Sequence, residues 1–266
     1  MKKLLCSVMA LVMLFAFTTA VAEKAPANRL EKILAEGKLT VATSPDYAPY
    51  EFLDKDGNPV GSDMTLAAYI AEKLGVELVI EAMDFDTALA AISTGKVDMA
   101  IAGLVPKEER KEMMDFTDLY YDDGNQVILI LKENAESLKT LADFSGKTVA
   151  AQNGTLQKEL VETQLPDAKL ELITKIPDAI MMVMTKKVDG LALANVVASQ
   201  YIANYPDLTV CETAFEYKSL GVVAAVVKGE TELLEAVNAI VKEVVDEKLY
   251  FQWMDEAVQL SNSMNQ

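Results

Sequence analysis

Apolar and polar positions switch between two spacings along this chain. KLTVAT (residues 38–43) reads as a short strand, and SDMTLAAYIAEKLG (62–75) sets Ala67, Ile70, Ala71 and Leu74 on one helical face before stopping at Gly75. VELVIEAM (76–83) predicts a strand, DTALAAISTG (86–95) a helix ending at Gly95, and KVDMAIAG (96–103) another strand. Strands alternating with helices imply an α/β fold with a largely parallel sheet.

The pattern restarts after DGNQVILILK (123–132). GKTVAAQNGT (146–155) reads as strand then loop, LQKELVETQLP (156–166) as helix and LELITKI (170–176) as strand. The stretch from Pro177 lies on the stretch from Asp86 without a gap when the two Lys-Val-Asp triplets are matched; Ala88 then meets Ala179, and Thr94 meets Thr185. Chance likeness and common ancestry both stay open, but either way two α/β lobes of similar build follow. In such sheets ligands bind beyond the carboxyl ends of the strands, so facing lobes place Gly103 and Ala194 on opposite walls of one cleft. TELLEAVNAIVKEVVDEKLYFQWMDEA (231–257) predicts helix, with Leu234, Val237, Ile240, Val241 and Val244 at core spacing and Trp253 packed among them rather than stacked on a ligand.

The N-terminus changes the compartment. MKKLLCSVMALVMLFAFTTAVAEKAPA has two lysines, an apolar core from Leu4 to about Phe17 and small residues ending at Ala20-Val21-Ala22, which reads as a secretory signal removed before Glu23. Its core is short for a membrane span, and Cys6 lies too early to be a lipid-attachment point, so a free periplasmic protein is expected, not a lipoprotein. Removing residues 1–22 takes away Lys2 and Lys3 and moves the formal charge from −17 to −19. So acidic a chain repels nucleic acid phosphates and anionic lipid heads, and no later apolar segment is long enough to insert in a membrane. Only Cys211 is left, so no internal disulfide is expected.

The chain has no histidine, which excludes Ser-His-Asp and Cys-His catalysis, His-containing zinc sites and a histidine pH switch. No glycine-rich phosphate loop is present, and no metal or cofactor is expected. Without a histidine to titrate, ligand binding is expected to vary little between about pH 5.5 and 8.

One arginine stands out. In DMAIAGLVPKEERKEMMDF (98–116) an apolar run ends at Gly103, Pro106 follows, and Arg110 appears among acids. If Pro106 opens a helix, Arg110 lies in its first turn, where the dipole favours anions and not arginine. Taken alone, it reads as a solvated charge near Glu108, Glu109 and Glu112.

SPDYAPYEFLDKDGNPVGSDMTLAAYIAEKLG, MDFDTALAAISTGKVDMAIAG, EERKEMMDFTDLYY, GKTVAAQNGT and PDAIMMVMTKKVDGLAL together resemble the family 3 extracellular solute-binding proteins, which deliver polar amino acids and related small molecules to ABC importers. The resemblance covers nearly the whole chain after the signal. It implies a periplasmic-binding-protein-like fold: two α/β lobes joined by a two-strand hinge, with the ligand in the interlobe cleft. Crossings near Tyr120 to Asn125 and Lys218 to Val222 would give one lobe residues 23–122 plus 222–266 and the other residues 123–221. An ABC transporter permease is the implied partner of a monomeric carrier.

By the same resemblance, Arg110 clamps the ligand carboxylate through two parallel hydrogen bonds, which lysine cannot copy. Thr155 meets that carboxylate from the other lobe, helped by Gly154 and the following helix N-terminus, and an ordinary N-cap role for Thr155 is compatible with this. Tyr47 and Phe85 match aromatic walls, Ser44, Gln152 and Leu156 match side-chain contacts, and Gly103, Leu104 and Val105 form the strand end. Two departures stand against these matches. Val105 replaces a usual Ser or Thr, and Ala194, followed by Asn195, replaces a usual Asp or Glu that neutralises the ligand ammonium. A cleft with Arg110 kept and both amine anchors gone favours a carboxylate whose α-amine is absent or differently held, deaminated or aromatic.

An enzyme on the same fold, like dehydratases acting on cyclic carboxylic acids, is the alternative. It needs a positioned general acid in the cleft, which Asp46, Asp84 and Asp86 only border. A receptor's sensory domain would need a transmembrane segment after the lobes. The expected mechanism is closure of the two lobes on a ligand that Arg110 and Thr155 bridge.

Overall fold

The computed structural model describes residues 26–122 and 124–264; the expected signal at residues 1–22 lies outside the described residues. Helix α1 (Arg29–Glu36) starts at Asn28, whose side chain accepts from the Glu31 amide, and stops at Gly37 in the left-handed region. Strand β1 (Lys38–Thr43) follows, then a small meander of β2 (Asp46–Tyr47), β3 (Glu51–Leu53) and β4 (Pro59–Val60). Next come α2 (Ser62–Leu74), β5 (Glu77–Ala82), α3 (Phe85–Ser93), β6 (Met99–Leu104) and β7 (Met114–Phe116). Ala67, Ile70 and Ala71 of α2 are buried as the spacing predicts, with Leu74 half-buried.

The second run is β8 (Gln126–Leu131), β9 (Thr148–Gln152), α4 (Leu156–Gln164), β10 (Lys169–Ile173), α5 (Ile176–Met184), β11 (Gly190–Ala194), α6 (Asn195–Asn204) and β12 (Leu208–Val210). The chain then returns through β13 (Val223–Val227) to α7 (Thr231–Asp246) and α8 (Leu249–Met264).

Two five-stranded sheets result, in the orders β5-β1-β6-β13-β7 and β10-β9-β11-β8-β12. In the first, β1 runs parallel to β5 and β6, while β13 is antiparallel to β6 and β7. In the second, β9 runs parallel to β10 and β11, while β8 is antiparallel to β11 and β12. Each sheet is therefore mixed, where the alternation predicts a largely parallel one. The reason is the entry of β8 and β13, which come straight from the interlobe crossings without the helical crossover that parallel pairing requires.

The two crossings pair as a short antiparallel hinge. Tyr120 N–H donates to the Val222 carbonyl at 3.0 Å, and Val222 N–H donates to the Tyr121 carbonyl at 2.8 Å. The fold is thus two α/β lobes on a two-strand hinge.

The internal likeness is three-dimensional. Ala88 and Ala179 are both fully buried. The Thr94 hydroxyl donates to the Ala90 carbonyl and the Thr185 hydroxyl to the Met181 carbonyl, each at 2.7 Å. Asp98 accepts from the Thr40 amide and Asp189 from the Thr148 amide, each at 2.8 Å, so each carboxylate ties its strand to the neighbouring one.

The predicted C-terminal helix is two helices, broken at Lys248 with φ 57°. Val237, Ile240, Val241 and Val244 are buried, but Leu233 takes the core position expected of Leu234. Trp253 packs against Tyr69 and Tyr250, with ring centroids 5.3 and 6.3 Å apart. Helix α8 rests on α2 and also touches α6 of the other lobe. Among the described residues, no helix is long and apolar enough to cross a membrane.

Candidate ligand-binding cleft

Arg110 leaves β6 by a different route from the predicted one. Residues Glu108–Glu112 form a 3-10 helix, not the first turns of an α-helix opened by Pro106. The tighter turn swings Arg110 inward to 4% exposure, so it is not a solvated charge. Its Nη1 donates to the Val105 carbonyl at 3.1 Å and its Nη2 to the Gly154 carbonyl of the other lobe at 2.5 Å. The guanidinium also lies 5.7 Å from the centre of the Phe85 ring. Burial lowers its pKa to about 10, which leaves it charged at neutral pH, and among the described residues no carboxylate forms a salt bridge with it. A buried cation with no salt bridge is costly unless an anion joins it, which makes Arg110 a candidate anion site.

Thr155 caps α4: its hydroxyl accepts from the Lys158 amide at 3.3 Å and donates to the Gln152 carbonyl at 2.7 Å. Gly154, with φ 77°, turns the loop so that its carbonyl faces Arg110.

The lobes meet through several further bonds. The Tyr47 hydroxyl accepts from the Ala194 amide at 3.2 Å and from Gln157 Nε2 at 3.1 Å. Asp46 Oδ2 accepts from Gln152 Nε2 and from the Ile176 amide, each at 3.0 Å, while within its own lobe Oδ1 accepts from the Ser44 hydroxyl at 3.1 Å. Asn153 donates to Asp86 at 3.1 Å, and Lys107 meets Glu159 at 2.9 Å near the rim. Between them the lobes enclose a cavity of about 30 Å³. That volume suits a water or two, so a bound amino acid has to replace some of these cross-cleft bonds.

Of the sequence-predicted positions, Tyr47, Phe85, Gly103, Val105, Arg110, Gln152, Thr155 and Leu156 line this cavity. The other four do not. Ser44 is buried behind Asp46, Leu104 points into the core, Ala194 shows the cleft its amide, and Asn195 is exposed at the start of α6. Asn195 is thus poorly placed to stand in for the missing acid.

Asp46, Glu51, Ala102 and Gln157 line the cavity without having been predicted to. Asp46 moves from the border of the cleft into its wall. Burial, with Asp84 nearby, raises its pKa against the lowering effect of its hydrogen bonds to Ile176, Ser44 and Gln152. Glu51 is only 1% exposed, and burial, followed by the charges of Asp63 and Asp46, pushes its carboxyl well above the usual range. Neighbouring Asp63 accepts from the hydroxyls of Tyr120 and Tyr250 at 2.9 and 2.6 Å and from the Gly103 amide at 2.7 Å. Since Asp63 is solvated by three donors, the proton of the pair resides on Glu51. The sequence signal for Glu51 is slight: one acid between Tyr50 and Phe52 in an otherwise apolar strand.

The sequence pattern of the bacterial extracellular solute-binding proteins, family 3, matches residues 39–256, and the chain belongs to that family. It is 30% identical over 261 residues to the arginine-binding extracellular protein ArtP of Bacillus subtilis, covering 95% of this chain and 98% of the relative. The crystal structure of an amino acid ABC transporter substrate-binding protein from Streptococcus pneumoniae, bound to L-arginine, superimposes with a TM-score of 0.83 at 35% identity, covering 87% of this chain and 98% of that one. A cyclohexadienyl dehydratase of Pseudomonas aeruginosa is 29% identical over 149 residues, 55% of each chain. The main reading is therefore an amino-acid-type solute-binding protein of an ABC importer.

Proposed function

We propose that this chain captures an amino acid or an amino-acid-like small carboxylate in the periplasm and presents it to an ABC transporter permease as a monomer. The lobes of this trap are residues 23–122 with 222–266, and residues 123–221. The single observation that carries the reading is Arg110: a buried guanidinium at the wall of an interlobe cavity that makes no salt bridge with a carboxylate among the described residues, Glu109 and Glu159 acting on it only through space. The ligand carboxylate supplies that charge, with the Thr155 end of α4 on the opposite lobe and the rings of Tyr47 and Phe85 at the sides. Relatives named as arginine-binding support a ligand with an α-amino acid head. Val105 and Ala194 oppose an amine held in the family's usual way, which keeps deaminated acids in contention.

Glu51 gives the enzyme alternative a specific footing, because a carboxylic acid kept protonated in a cleft has the form of a general acid. That acid is, however, hydrogen-bonded to Asp63, which does not line the cavity, and this supports a carrier over a catalyst.

The test is a thermal-shift screen of the purified protein, stripped of ligand by unfolding and refolding, against L-amino acids and their matched 2-hydroxy acids. A ligand at 100 times its dissociation constant adds about 2.7 kcal/mol of stability. A shift with either class supports the carrier, and no shift with any carboxylate overturns it. Turnover of a cyclohexadienyl carboxylic acid would establish the enzyme instead.

A further inference from the structure

We propose that Glu51 is the anchor for the ligand's ammonium group, forming with Arg110 the two poles of a zwitterion site. This rests on the carrier reading above and adds to it the class of ligand, an amine-bearing acid held from the lobe opposite to Ala194.

The polar groups of the cavity wall other than Glu51 are already engaged. Asp46 receives three hydrogen bonds through its two oxygens, Gln152 donates to Asp46 and the Thr174 carbonyl, and Gln157 donates to Tyr47 and Gln126. Glu51 Oε2 is buried and receives no N–H or hydroxyl donor among the described residues; the carboxyl's one recorded hydrogen bond is to a fellow acid, Asp63. A carboxyl oxygen left so in a dry site is costly unless a donor arrives.

Its position is built by the fold. Tyr47 and Glu51 are directly paired across the β2–β3 turn, so both side chains leave on one face, toward the cleft. Gly103 makes the room: a Cβ there would lie 3.2 Å from the Tyr47 ring and 3.7 Å from Glu51 Oε1. The strand-end loop that begins at Gly103 beside Glu51 ends at Arg110, so one loop connects the acidic and basic poles.

The charges around Glu51 select the class of donor. Asp63 from α2 and Asp46 from β2 are the acids that act on it, and Tyr120 and Tyr250 bind Asp63 as neutral phenols. Arg110 is the basic group among the cavity-lining residues. A cationic nitrogen at Glu51 relieves the repulsion between acids, whereas a hydroxyl or a carbonyl does not. As the ammonium enters, the Glu51 O–H bond breaks, its electron pair stays on the carboxylate, and the proton passes to solvent, leaving an ion pair in place of a neutral acid.

The experiment measures affinities of L-amino acids and their 2-hydroxy counterparts for the purified wild-type protein and for Glu51→Gln, which keeps the shape of the protonated acid. The expected result is that the wild-type preference for an amino acid over its hydroxy acid falls at least about tenfold in the variant. An unchanged preference overturns the proposal. Wild-type protein that binds hydroxy acids alone also overturns it while leaving the carrier reading intact, and wild-type protein that binds neither class overturns both. Should the variant fail to fold, calorimetry of the wild-type protein in buffers of different ionisation enthalpy, at several pH values from about 5 to 8, decides: proton release on amino acid binding supports the proposal, and release of none at any of these pH values overturns it.

Discussion

The Arg110 side chain reaches across the cleft to the Gly154 carbonyl at 2.5 Å, so the group offered to a ligand carboxylate is also one that draws the lobes together. In the proposed site, ligand binding and closure would therefore share a residue. Arg110→Ala removes the charge and the cross-cleft bond, and it should weaken carboxylate ligands by about 2 kcal/mol or more, roughly thirtyfold in dissociation constant. Arg110→Lys keeps the charge but not the fork of donors and should recover only part of the loss. Titration calorimetry checks both; equal affinity in the alanine variant would place the ligand acid elsewhere.

Burial raises the pKa of Glu51 in the folded protein above its ordinary 4.5. Above that pH the unfolded chain gives up a proton that the folded chain keeps, so this group contributes stability that is lost as pH rises toward its folded-state value. Asp46 and Asp63, also raised, act in the same direction. Glu51→Gln removes one such group. Its melting temperature should gain on the wild type as pH goes from about 4.5 to 7, by at most about 1.4 kcal/mol per pH unit. A gap that stays constant over that range would show that Glu51 ionises normally. Binding that varies between about pH 5.5 and 8 would point to these same carboxyls, since burial shifts them upward and the chain has no histidine.

Helix faces and strand ends are legible in this sequence because each lobe repeats one helix–strand unit, down to the paired duties of Asp98 and Asp189. The candidate site is legible where a motif marks it, as at Arg110, Thr155 and Tyr47. Glu51 is not, because its burial depends on a turn that pairs it with Tyr47 and on the missing side chain of Gly103 far along the chain. Nor is the inward turn of Arg110, since a 3-10 helix and the start of an α-helix have nearly the same sequence requirements. The antiparallel strands escape the pattern because period-2 alternation carries no information on strand direction.

Matched positions in the two lobes supply a third prediction. After α3 the chain turns through Gly95 at φ 69°, and after α5 it turns through Lys186 at φ 60°. A left-handed lysine costs about 1 kcal/mol, partly offset by the greater chain entropy that glycine loses on folding. Lys186→Gly should therefore raise stability by about 0.5 kcal/mol, since its bond to Glu133 is exposed and contributes little. The reverse change, Gly95→Lys, should destabilise by more than 1 kcal/mol or so, because a Cβ there meets Arg29 Nη2 at 3.0 Å. Urea unfolding of the two variants gives the comparison, and a loss of stability in Lys186→Gly would mean that the turn is not strained.

Gly221 lies in the hinge beside Val222, with φ 74°, and a Cβ on it would stand 3.0 Å from the Leu119 methyls and from the Tyr121 carbonyl. That carbonyl accepts the Val222 amide bond that pairs the two crossings, so it has little freedom to retreat. Gly146 has nearly the same backbone, φ 71°, and no atom within 4 Å of its Cβ position. Gly146→Ala thus measures the left-handed backbone penalty alone, about 1 kcal/mol, and Gly221→Ala adds the contact to it. The hinge variant should lose clearly more stability in urea than the control. It should also alter ligand affinity, because strain confined to the hinge differs between open and closed lobes, whereas Gly146→Ala should leave affinity alone. Equal stability losses with equal affinities would show that the crossings relax around the added methyl and that Gly221 sets neither the strength of the hinge nor the balance of closure.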